Sequence, residues 1–198
     1  TLEDFAGMFR YSKLIEAVND ADTSILSNIT TVKMYKYFTP TLNSGIKYTL
    51  SYNNALYNPH SGHNSSGGGV ISSSGFKVNN DSSANEHFLD DDGAGNLRLY
   101  YLSDTTRVYT DTTYGTVNYT TGEVVLTSAH ITSISNVDGA TSTQVRVFAT
   151  PSSNDVVPVR NQVLSIDTSN STITGEVDGI ESGSSQAGTT YTTTSSYS

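Results

Sequence analysis

The sequence predicts an α+β fold that is mostly β: an N-terminal helix–strand–strand unit over residues 1–53, then an antiparallel β-sandwich-like domain over residues 54–180. Three observations carry this. Met8, Tyr11, Leu14, Ile15 and Val18 repeat at a helical period, with Arg10, Lys13 and Glu16 on the other side. From Ile29 onward, β-branched and aromatic residues replace that pattern. Short strands then recur at roughly ten-residue spacing between turn signals, as in a sandwich.

The stretch Asp4 to Met34 opens the chain and has no later counterpart. Thr1 with Asp4 makes a minimal capping box, and Glu3 and Asp4 suit the positive end of a helix dipole. Gly7 costs about 1 kcal/mol inside a helix, so the regular part is expected to begin near Phe9 or Arg10. Asn19, Asp20, Asp22, Thr23 and Ser24 break it, and Ile29 to Phe38 reads as a strand. After turns at Thr39-Pro40 and Asn43-Ser44-Gly45, Ile46, Tyr48, Leu50 and Tyr52 alternate with Lys47, Thr49 and Ser51. This second strand is expected antiparallel to the first, with the helix covering one face. A chain that begins at Thr inside a helix, with so small a sheet, reads as a fragment or processed product and the unit as the cut half of a domain.

Residues 58–74, NPHSGHNSSGGGVISSS, offer a core only Val70 and Ile71 and read as a flexible Gly/Ser loop. Phe76 and Val78 resume a strand, and His87 to Leu89 another. Asp90 to Asn96 turns the chain into Leu97, Leu99 and Tyr101, a hairpin. Arg107 to Tyr109 lies on a strand, and residues 115–126, GTVNYTTGEVVL, form the clearest hairpin, with Thr121-Gly122 as its turn. Ile131 to Ile134 and Val145 to Ala149 are expected to pair across Asp138-Gly139. Pro151 and Pro158 make Val156 and Val157 an edge or an extended crossing. Val163, Leu164 and Ile166 suggest a last strand, and Ile173 to Val177 a weaker one. The tail over residues 181–198 is too polar to offset its ordering entropy alone.

A chain of 198 residues can bury a sizeable core, roughly 70% of its unfolded surface. No window of 18 or more apolar residues suggests a membrane span, and no basic-then-apolar start suggests a signal peptide. The absence of Cys rules out disulfides and thiolate metal sites. The net charge of −9 lies wholly beyond residue 50, and no Lys or Arg follows Arg160. Such a surface repels phosphate backbones, so nucleic acid is not an expected partner. Abundant Ser, Thr, Asn, Gly and Tyr suit a virion component or an extracellular module.

No catalytic, cofactor-binding or metal residue is assigned. His60 and His63 could supply two nitrogen ligands, but they lie in a Gly/Ser loop without a specified third ligand; His87 and His130 stand elsewhere. Solvated loop histidines is the preferred reading. Asp90, Asp91 and Asp92 before Gly93 lack the spacing of a calcium loop and read as an acidic hairpin turn. Without Trp platforms or a marked cleft they are not read as a glycosidase pair. Gly67-Gly68-Gly69 lacks the GK[ST] of a phosphate loop, and Ser72 to Ser74 lacks a nucleophile elbow. Sequons at Asn28, Asn64, Asn118 and Asn170 are expected by chance in this composition. Tyr35, Tyr37, Tyr100, Tyr109, Tyr114 and Tyr119 lie on or beside strands, most for packing and a few for an interface.

Five stretches in order, FRYSKLIEAVNDADTSILSNITTVKM, SSGFKV, DDDGAGNLRLYYL, GTVNYTTGEVVL and VPVRNQVLSID, are distributed over residues 4 to 167. Together they resemble the carboxyl-terminal part of the baseplate wedge-ring protein of contractile-tailed bacteriophages, related to baseplate J-like proteins. The resemblance implies a structural virion protein in the tail baseplate, assembled in the host cytoplasm, with homodimer or ring contacts and contacts to other wedge and tail proteins. It implies no catalysis, no cofactor, no nucleic acid and no membrane, and it carries no active-site residue across. Two other classes stay open: an extracellular glycan-binding or adhesin module, and a metal-dependent hydrolase using His60, His63 and Asp90 to Asp92.

Overall fold

A computed structural model of the chain describes residues 7–63, 69–137, 139–158 and 162–176, and these separate into one unit over Thr1–Leu164 and a second over Ser165–Ser198. Among the described residues the fold is mostly β with one α-helix, as the sequence predicts.

The helix, α1 (Tyr11–Asn19), begins where Gly7 implied, after Arg10 in an extended conformation. Thr1 and Asp4 lie outside the described residues. The first turn instead finds its acceptor far along the chain: Tyr11 N donates to Asp155 Oδ1 at 2.8 Å. Beside it Phe9 and Val156 exchange backbone hydrogen bonds of 2.9 and 3.1 Å. The expected seating of α1 on a sheet face is corrected. Tyr11, Leu14, Ile15 and Val18 are only half-buried, and two side-chain hydrogen bonds tie the helix to the extended segment after it: Tyr11 OH to Thr30 O and Asn28 Nδ2 to Asn19 Oδ1.

That extended segment also corrects the first strand. β1 is Met34–Phe38, five residues long, rather than Ile29 to Phe38. Ile29 is 99% exposed and Leu26 76%; among the described residues, no strand pairs with the chain there. β2 (Gly45–Ser51) does not pair with β1. Pro40, buried between them, cannot donate to a ladder, and the two strands enter different sheets.

One sheet has three strands in the order β1, β9 (Val145–Ala149), β3 (Ile71–Ser73), all antiparallel. β3 corrects the expected loop over 58–74. Val70 and Ile71 are buried, and Ser74 fixes the end of β3 by exchanging hydrogen bonds with the backbone of Arg146. β9 therefore pairs with β1 and β3, not with Ile131 to Ile134 as expected.

The other sheet runs β2, β8 (Glu123–Ile134), β4 (Phe76–Val78), β5 (His87–Asp91), β6 (Asn96–Ser103), β7 (Thr106–Asn118). β7 pairs back onto β8, closing β8-β4-β5-β6-β7 into a barrel-like ring. The length of β8 permits this. Its first half lies between β2 and β7, and Ile131 to Ile134 take β4. β7 bends through ladder irregularities opposite Leu97 to Tyr100. Gly115 stands in that bend, where an added Cβ would fall 1.9 Å from Val125 O. The hairpin at residues 115–126 forms as predicted, with Gly122 at φ +70° and Asn118 Oδ1 accepting from Thr120 N and Thr121 N.

Both sheets contribute to a single core. Leu89, Leu97, Val124, Leu126 and Ile131 from the ring join Ile71, Val145, Val147 and Ala149 from the small sheet. At about 1.5–3 kcal/mol per buried aliphatic side chain, this cluster is the main favourable term. Tyr52 OH crosses between the sheets to donate to Val147 O at 2.6 Å. Val156 is buried while Asn54 brackets Val157, accepting from its N–H and donating to its C=O, so this piece is the extended crossing that the prolines implied.

Over residues 162–176 the structure contains no strand, which corrects the two expected there. Ile166 and Ile173 are 51% and 95% exposed. In the second unit Asp167 caps a 3-10 turn, Thr168–Asn170, by accepting from Ser169 N and Asn170 N. Val177 and the polar tail lie outside the described residues.

Candidate functional site

The three adjacent aspartates take three different directions. Asp90 and Asp91 are the last residues of β5, so strand alternation sends them to opposite faces, and Asp92 turns into the β5–β6 connection. The acidic turn expected from the sequence is therefore Asp92 alone, with Asp90 and Asp91 on the strand.

Asp90 lies opposite Arg98 in the β5–β6 register, and the pair is buried, with Arg98 Nε 2.9 Å from Asp90 Oδ1. Arg107 Nη1 and Tyr109 OH donate to its other oxygen at 2.6 and 2.8 Å. Two residues apart on β7, they reach the same face. The guanidinium of Arg98 covers the Tyr109 ring and that of Arg107 the Tyr100 ring, at 4.3 and 4.6 Å. Burial, then the hydrogen bond and charge of Asp90, push the Tyr109 phenol up. The cluster is internally satisfied. It ties β5, β6 and β7 together, where charged partners compensate one another's loss of water.

Asp91 faces the small sheet. It accepts from Ile71 N at 2.8 Å and from Tyr119 OH at 2.6 Å, fastening β3 and the 115–126 hairpin to β5. Gly69 passes so close that a Cβ there would fall 1.9 Å from Asp91 Oδ1. Burial and then the Asp91 hydrogen bond raise the Tyr119 phenol strongly. Asp92 accepts from Ala94 N, Asn96 N and Asn96 Nδ2, with Gly93 at φ +73° and Gly95 at +107° completing the turn. Burial opposes its charge, but these donors prevail and hold its carboxyl below the ordinary range. The geometry gives each carboxylate its own structural partners.

The histidines are dispersed except for one pair. His63 Nδ1 lies 3.2 Å from His60 Nε2 in the loop before β3. His87 is fully buried on β5, its Nδ1 3.1 Å from Asn85 O and its ring edge-on to Tyr101, and His130 is half-buried on β8. Among the described residues, no three or more His, Asp or Glu side chains form a cluster able to hold a metal. Ser73 and Ser74 serve as hydrogen-bond partners in the sheets, and Gly67 and Gly68 lie outside the described residues.

An aromatic patch lies open on the outer face of the three-stranded sheet. Tyr35 and Tyr37 project from β1 at 37% and 56% exposure, while Phe148 and Arg146 of β9 lie against Tyr35, 5.8 and 5.9 Å from its ring centre. Sequence reading singled out the two tyrosines but missed Phe148 and Arg146, because the β1–β9 pairing joins residues more than a hundred positions apart. It also missed Asp155 as the acceptor at α1. Arg98 was within reach: a hairpin centred on Ala94 places it opposite Asp90.

Residues 1–37 match the family model of the baseplate structural protein gp6, C-terminal domain III. The match supports a structural protein of the phage tail baseplate and points to a non-enzymatic role. No curated protein matches the chain. From residue 7 the matched stretch contains the Phe9–Val156 bridge, α1, the extended segment with Leu26 and Ile29, and most of β1. It reaches Tyr35 and Tyr37 on the open face.

Proposed function

We propose that the chain is a subunit of the wedge or inner ring of a phage tail baseplate, acting through contacts with copies of itself and with other baseplate proteins. The observation that carries the reading is the family match at residues 1–37, a stretch integrated into the first unit by β1 and the Phe9–Val156 bridge. The surface chemistry is consistent with it. Tyr and Arg are enriched where protein interfaces bind most strongly, and Tyr35, Tyr37, Phe148 and Arg146 form one such face. This role needs neither a sugar-binding platform nor a catalytic pocket.

The test is the position and valency of the chain. In a reconstructed tail the density for residues 7–158 is expected in the baseplate beside a second copy or a wedge protein. Light scattering on the purified 198-residue chain is expected to show mass rising with concentration. A protein monomeric at high concentration, and without a place in the assembled tail, would overturn the proposal.

A further inference from the structure

We infer that the turn His60-Ser61-Gly62-His63 is a binding site for a divalent transition-metal ion of the zinc, nickel and copper class. The backbone brings the two rings together without help from a helix. His63 N donates to His60 O at 3.1 Å, closing a β-turn, and Gly62 in its third position has φ +76°, the type II signature. The turn is fastened from outside as well. Gly62 N donates to Gly93 O at 2.9 Å and Asn58 Nδ2 to the same oxygen at 3.1 Å, so the loop is held against the β5–β6 turn. The Tyr57 ring meets the His63 ring edge-on at 5.5 Å between centres.

Within this frame His60 Nε2 and His63 Nδ1 stand 3.2 Å apart, with ring centres 4.9 Å apart and planes at 84°. Two imidazole nitrogens, each about 2.0–2.1 Å from one tetrahedral ion, are separated by about 3.3 Å. The bite is therefore formed before the ion arrives. The two nitrogens are at hydrogen-bond distance; for both to bind a metal, the donor ring moves its proton to its other nitrogen, and each neutral imidazole then gives the ion one lone pair. Imidazole donors favour zinc, nickel and copper over calcium or magnesium, which prefer oxygen. Both histidines are exposed, leaving the remaining coordination positions to water or to a donor from a partner.

The experiment is calorimetric titration of the metal-free 198-residue chain with zinc chloride and with nickel chloride, together with nitrogen NMR of the imidazoles. One ion per chain is expected, with the shifts confined to His60 and His63. H60A and H63A should each weaken binding at least tenfold with an unchanged melting temperature, since both side chains are exposed, whereas H130A should bind as the parent does. Absence of saturable binding, or binding that survives H60A and H63A, would overturn the inference.

Discussion

Asp90 and Arg98 face each other across β5 and β6 with Nε 2.9 Å from Oδ1 and both side chains nearly excluded from water. Breaking a buried pair leaves an uncompensated charge, which costs more than the pair itself contributes. Asp90 also holds Arg107 and Tyr109, so Asp90→Ala should destabilise the chain by about 3–5 kcal/mol. Urea unfolding should show this as a lower midpoint. A double-mutant cycle with Arg98→Met should show strong coupling, with the double variant less impaired than the sum of the single ones.

The closure of the ring rests on Gly115. Gly115→Ala would drive its Cβ to 1.9 Å from the backbone oxygen of Val125, which cannot move without opening the β7–β8 ladder. Gly139 has φ +77° but open space around it, so Gly139→Ala should cost only about 1–2 kcal/mol of backbone strain. Gly115→Ala should cost clearly more. Thermal unfolding of the two variants side by side checks the order.

Alkaline stability should fall above the tyrosine range. Burial raises the phenols of Tyr52, Tyr114 and Tyr119, that of Tyr114 to about 12. A raised folded pKa contributes stability that is complete below the unfolded value of 10.0 and is lost as the pH rises through the folded one. Unfolding free energy should therefore be flat up to about pH 9 and decline beyond 10. Tyr119→Phe should flatten part of that decline while lowering stability at neutral pH, where Asp91 loses its phenol donor.

Acid acts through the turn at Asp92. Its depressed pKa contributes stability present above the unfolded value of 3.8 and lost as the pH falls through the folded value. Asp92→Asn should weaken the acid dependence below about pH 4 and lower stability at neutral pH. Unfolding curves between pH 2 and pH 7, taken as approximate bounds of the transition, check both effects.

Tyr37→Ala should separate assembly from folding. The side chain is more than half exposed, so the melting free energy should stay within about 0.5 kcal/mol of the parent. If the β1 face carries contacts between copies, light scattering should show weaker association for this variant.

The mostly β fold, the start of α1, the 115–126 hairpin and the extended crossing at Val156 and Val157 were legible in the sequence. All follow from interactions over a few residues: helical periodicity, the cost of Gly7, turn residues, and the missing N–H of proline. The same locality explains why the Asp90–Arg98 pair could have been read from the hairpin register. What tertiary structure decided is which strands meet. β1 and β2 are neighbours in the chain but enter different sheets; β9 reaches back to β1, and Asp155 to α1. Such pairings are settled by how apolar area from the whole chain is buried at once, and alternation within one strand specifies a face, not a neighbour. Likewise three consecutive aspartates carry one label in the sequence, and only the pleat and the turn gave each a different partner.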